Sequence, residues 1–172
     1  MGGTTQTNLM DIPDFIQRVL IDEFKEIQHG EGHLSLSTAL LGQGIEFLGA
    51  CLDSEPFSAK GLSAPRFRKA IDDLFPPTYH RFNQGTGKPF DLYENLRLGL
   101  LLPILPGIRL ELRRRIGTEK QGANHLDVLE IRGMSRLVLV WEDLLEDYER
   151  ACEEVMASIR GGRLKGWKFE GD

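Results

Sequence analysis

Apolar residues at Ile12, Phe15, Ile16, Val19, Leu20, Phe24 and Ile27 recur at the spacing of one buried helical stripe. Asp11 stands where an N-cap belongs, Pro13 falls in a first turn that needs no donor, and Gly30 ends the pattern. A second helix is predicted over 34–53, with Leu40, Leu41, Ile45, Leu48 and Leu52 turned inward. Its Gly42 and Gly44 lower helix propensity and permit a neighbouring helix to come close. The segment 53–65 is a loop by composition. A third helix over 63–75, capped by Ser63 with Pro65 in its first turn, carries the stripe Phe67, Ala70, Ile71 and Leu74. Pro76 and Pro77 end it. Residues 78–89 show no period and read as a long glycine-containing loop. The next helix starts near Pro89 and Asp91, runs to about Leu102 and breaks at Pro103 and Pro106. It is apolar on nearly every face, yet Arg97 stands in it.

After Gly107 the period becomes two. Ile108, Leu110 and Leu112 alternate with Arg109, Glu111 and Arg113, the pattern of a half-buried strand. A polar loop, 117–124, leads to a hairpin with one arm from Leu126 to Ile131 and the other from Leu137 to Val140. Arg132, Gly133 and Met134 turn between them. The closing helix carries Trp141, Leu144, Leu145, Tyr148, Cys152, Val155, Met156 and Ile159 on one stripe and stops at Gly161 and Gly162. A small sheet needs helices to lean on. The reading is therefore α+β, predominantly α: a four-to-five-helix bundle with a small three-stranded antiparallel sheet (about 107–140) before the C-terminal helix. One domain is expected over 1–162, with a tail, 163–172, that is mobile or docks through Trp167 and Phe169.

Composition changes this picture little. The 172 residues are 41% hydrophobic and 27% charged, enough for one sizeable core. A net charge of −5 argues against broad nucleic-acid binding but leaves room for a local basic patch. Cys51 and Cys152 both fall in helical patterns, which predicts two buried free thiols in a reducing cytosol. The opening stretch lacks the charged and apolar regions of a secretory signal, and Gln6 stands where a myristoylation pattern needs Ser or Thr. The longest apolar run, 98–105, is too short to span a membrane and contains Pro103. A cytoplasmic location is the expectation.

Candidate chemistry is sparse. His29 and His33 are separated by Gly30 and Gly32, and no further ligands accompany them, so no metal and no cofactor are expected. The G-x-G-K run at 85–88 lacks the first glycine of a Walker loop and is followed by Pro89. Glu142, Asp143, Glu146, Asp147, Glu149, Glu153 and Glu154 of the last helix read as a solvated face, with acids in the first turn favouring the helix dipole. Arg109, Arg113 and Arg115 share one face of a strand, either to contact phosphates or to guard an edge strand with charge. Arg97 has two readings. It can snorkel over the core and pair with Glu94, or it can be a fixed anion binder with Glu94 and Tyr93 beside it.

The order F-D-L-Y-E-N-L-R-L-G-L-L, then an alternating hairpin, then a last helix with E-D-Y-E-R-A-C-E, resembles the HEPN superfamily, among uncharacterised bacterial helical proteins. Ribonuclease members of that superfamily carry an arginine followed a few residues on by a histidine, and two protomers bring these groups together to cleave RNA without metal. The resemblance matches Arg97 to the motif arginine, but Leu102 stands where the histidine belongs. It therefore implies a non-catalytic binding or regulatory module, linked to nucleic acid, nucleotide or bacterial defence, and a homodimer paired through the Arg97 helix. Two alternatives stay open: a metal-independent ribonuclease or nucleotide-modifying enzyme using Arg97 with His80, and a purely structural protein-interaction domain.

Overall fold

The computed structural model describes residues 11–28, 34–85, 87–98, 109–115 and 124–164. The chain opens on α1 (Ile12–Phe15), which runs through a π-helical stretch (Ile16–Asp22) into α2 (Glu23–Gln28). Asp11 caps the start, its Oδ1 accepting the Asp14 N–H at 2.7 Å, as its position predicts. The wide turns have a visible partner in the Gln17 amide, which donates to Asp22 five residues on at 2.9 Å. They also rotate the stripe: Ile21, absent from the predicted face, is buried with Ile12, Ile16, Leu20 and Phe24.

The long helix α3 (Leu34–Leu52) and α4 (Ser63–Leu74) follow, both within a residue of their predicted ends. In α3, Leu41, Ile45 and Leu48 face the core as expected, but Leu40 is 41% exposed and Leu52 only half-buried. α3 is long and apolar enough to cross a membrane by length and composition alone, which corrects the expectation that no run has that length. Just over half of that stretch, 56%, is buried, where α4 and α5 (Trp141–Arg160) pack on it. The cap assigned to Ser63 does not form; its hydroxyl donates to Glu46 of α3 instead. The segment read as a loop after Pro77 contains a 3-10 turn (Pro77–Phe82) that buries Tyr79 and Phe82.

Arg97 lies in a π-helical turn (Tyr93–Leu98). Asn95 widens it: its side-chain amide donates at 2.8 Å to the Asp91 carbonyl, which also receives the Asn95 backbone N–H. Asp91 is fully buried and anchors the turn, accepting from Arg68 at 2.9 Å, Gly85 N at 2.9 Å and Glu94 N at 3.0 Å. The predicted continuation to Leu102, the breaks at Pro103 and Pro106, His29, His33, the loop through 123 and the tail with Trp167 and Phe169 lie outside the described residues.

The sheet has three strands, β1 (Leu110–Arg113), β2 (Val128–Ile131) and β3 (Met134–Val140), in the order β1-β3-β2. It is mixed, not antiparallel throughout: β2 and β3 form the antiparallel hairpin, while β1 runs parallel to β3 with Leu110 opposite Leu137. The reason is in the sequence of β3. Leu137, Val138, Leu139 and Val140 are all buried, so this strand needs cover on both faces and a neighbour on each side. The hairpin turn is two residues, Arg132 and Gly133, both with positive φ (53° and 75°), and Met134 belongs to the strand. One apolar core draws on α1 to α5, the 3-10 turn and the sheet.

Candidate functional site

Ile12 and Phe15 of α1, one face of α3, Phe57 of the following loop and Arg66 of α4 enclose an open cleft of about 360 Å³. Its walls are aromatic. Phe15 and Phe47 lie 5.1 Å apart between ring centres, and Phe47 stacks on Phe57 at 5.2 Å. A second hollow of about 240 Å³ shares Phe15, Gln43 and Phe47 and extends toward Val19 and Leu40. Leu40, Gln43, Gly44 and Phe47 are spaced i, i+3, i+4 and i+7 on α3. Leu40, Gln43 and Phe47 make a partly exposed stripe beside the buried Gly44, and the outward Leu40 belongs to it.

The polar wall of this cleft is built on Glu46. Arg97 Nε donates to Glu46 Oε2 at 2.7 Å, and the Ser63 hydroxyl donates to the same oxygen at 2.7 Å. Tyr93 Oη in turn donates to Ser63 Oγ at 2.9 Å. Arg97 therefore reaches across to α3 rather than down its own turn to Glu94. Glu94 accepts the Gly87 N–H at 3.0 Å. Two features direct Arg97 this way. The π turn displaces it from its i−3 neighbour, and Gly42 of α3 lets the Arg97 backbone settle against it. With side chains 12% and 23% exposed, Arg97 and Glu46 form a partly shielded pair, and Arg97 Nη1 is buried without a hydrogen-bond partner among the described residues.

The cleft floor is held by Arg66, which the sequence reading did not single out. Its Nε meets Asp53 at 2.6 Å, and its remaining nitrogens donate to the carbonyls of Phe57 at 3.0 Å and Pro56 at 2.7 Å. One planar guanidinium thus gathers the loop after α3 and fixes the backbone that carries Phe57. α4 comes this close to α3 because Gly49 has no side chain; a Cβ there would overlap the Arg66 carbonyl.

The other candidates are dispersed. His80 is exposed on the 3-10 turn, and among the described residues no bond joins it to Arg97. Arg113 faces Glu111 at 3.9 Å, and Arg115 pairs with Asp143 in the first turn of α5. Arg109 makes a long bond of 3.5 Å to the Ser135 carbonyl. Among the described residues β1 lies at the edge of the sheet. In the glycine loop, the N–H groups of Gly85 and Gly87 point at the carboxylates of Asp91 and Glu94, where a phosphate cradle would leave them open.

A part-buried polar cluster, which the sequence reading did not single out, gathers around His125. That residue sits in the turn before β2. Tyr79 Oη donates to Asp147 at 2.8 Å and lies 2.7 Å from His125 Nε2. His125 Nδ1 accepts the Val140 N–H at 3.0 Å, so Nε2 carries the proton and the ring is satisfied as neutral imidazole. Burial holds the His125 pKa below its ordinary value, against the opposing pull of Asp143 and Asp147. Burial likewise raises Tyr79 and Tyr148 out of reach, and pushes the Cys152 thiol up to about 12. Cys51 and Cys152 are both buried thiols, as expected. No family model, no curated protein and no solved structure matches this chain.

Proposed function

We propose that this chain is a non-catalytic binding module whose ligand enters the aromatic cleft between α1 and α3. The observation that carries this is the cleft itself: three phenylalanine side chains and a carboxylate around a hollow open to solvent. What supports it over the enzymatic alternative is the state of the ionisable groups. Tyr79, His125, Tyr148 and Cys152 are all displaced toward their neutral forms, and Arg97, matched by resemblance to a catalytic arginine, is committed to Glu46. The proposal includes a cytosolic location and a homodimer; Leu36 and Leu40, 50% and 41% exposed, are apolar surface that a second copy would cover.

The test uses the neutral apolar dye N-phenyl-1-naphthylamine with pure protein. Saturable fluorescence enhancement is expected, and its loss in Gln43→Trp, which sets a bulky ring where the two hollows meet and removes no hydrogen bond to another described residue. A protein that never enhances the dye overturns the cleft reading. Cleavage of mixed RNAs abolished by Arg97→Ala overturns the non-catalytic one. Light scattering at monomer mass at micromolar concentration removes the dimer.

A further inference from the structure

Gln43 and Glu46 stand at i and i+3 on α3, so both side chains leave the same face, and both line the cleft. Glu46 Oε2 is occupied by Arg97 and Ser63, which fix the carboxylate in place. Glu46 Oε1 and the Gln43 amide take no hydrogen bond from another described residue. The wall thus presents a held, charged acceptor beside a group that both donates and accepts, flanked by the rings of Phe15 and Phe47.

We propose that the cleft selects a planar nitrogen heterocycle with a ring N–H beside a carbonyl, the lactam edge found on nucleobases and related bicyclic rings. This rests on the cleft being the ligand site. The ring N–H donates to Glu46 Oε1, the carbonyl accepts from the Gln43 amide, and the ring faces pack on phenylalanine. A purely apolar guest fits less well, because it strips water from Oε1 without replacing the bond. A carboxylate guest meets Glu46 as a like charge. The cleft, at about 360 Å³, has room for a bicyclic ring of this kind.

Calorimetric titration with 2-quinolone and N-methyl-2-quinolone tests this, since the two differ only in carrying N–H or N–CH3 at the ring nitrogen. One hydrogen bond to a charged acceptor predicts roughly tenfold tighter binding of 2-quinolone. Glu46→Gln should shrink that ratio, whereas Gln43→Leu should weaken both probes and leave the ratio intact. The wild-type ratio decides the matter even if Glu46→Gln does not fold. Equal affinities overturn the lactam assignment while leaving the cleft as a binding site. Dye binding with neither quinolone bound overturns it in the same way. Failure of dye and quinolones together overturns both readings.

Discussion

Two glycines of α3, seven residues apart, should respond to the same substitution with opposite sign. At Gly49 a Cβ would overlap the Arg66 carbonyl and lie 3.0 Å from Arg66 Cα, and these are backbone atoms of the packed helix α4. Neither helix can yield locally, so Gly49→Ala must push α3 and α4 apart. Overpacking of this kind costs about 1–3 kcal/mol, and the upper end applies because no side chain can swing away. Alanine returns about 1 kcal/mol of helix propensity, which leaves a net loss of about 2 kcal/mol. At Gly42 the nearest atom to a new Cβ is Arg97 Cα at 3.4 Å, ordinary contact, so Gly42→Ala should gain up to about 1 kcal/mol. In urea, with a slope of about 2 kcal/mol per molar, the Gly49→Ala midpoint falls by about 1 M and the Gly42→Ala midpoint holds or rises. A Gly49→Ala protein as stable as the parent would refute the close α3–α4 contact, and with it the placement of Arg66 beneath the cleft.

Other outcomes follow from the same contacts. Arg66→Lys should not rescue Arg66→Ala, because an ammonium cannot reach Asp53 and the carbonyls of Pro56 and Phe57 together; limited proteolysis should cut both variants near 53–58. Glu46→Gln should cost about 1–2 kcal/mol by leaving Arg97 without its counter-charge, discounted for the pair's partial exposure, and Glu46→Gln with Arg97→Met should recover part of it, as a denaturation double-mutant cycle would measure. Because the His125 pKa is lower folded than unfolded, the unfolded chain binds more protons as the medium is acidified. His125 thus leaves stability untouched above its ordinary pKa of about 6.5 and subtracts from it as pH falls toward the folded value; His125→Gln should flatten that part of the stability–pH profile. Ellman's reagent at pH 8 should modify neither Cys51 nor Cys152 until urea unfolds the chain, since both are buried and the Cys152 thiol is pushed up to about 12.

The helices were legible where one apolar stripe met one core. α3, α4 and α5 end close to their predicted limits because Gly, Pro and polar residues punctuate them locally. The mixed sheet was less legible. Alternation in β1 identifies a strand but does not name its neighbour, and only the unbroken burial of Leu137 to Val140 marks β3 as the centre. The two π-helical turns left no periodic signature, so Ile21 was missed and Arg97 was paired with the wrong glutamate. Arg97 and Glu46 are 51 residues apart, a separation no local pattern spans. The cleft was hidden for the same reason: Phe15, Phe47 and Phe57 come from two helices and a loop. The signal that was available is the pair Leu40 and Phe47, apolar at i and i+7 on α3 outside the stripe of Leu41, Ile45 and Leu48.

The most direct test of the binding-module account is an amide and side-chain NMR titration of the native protein with N-phenyl-1-naphthylamine. The account predicts saturable shifts concentrated at Phe15, Gln43, Glu46, Phe47 and Phe57, with little change around Tyr79, His125 and Asp147. Saturable shifts centred elsewhere, or none at all, would contradict it.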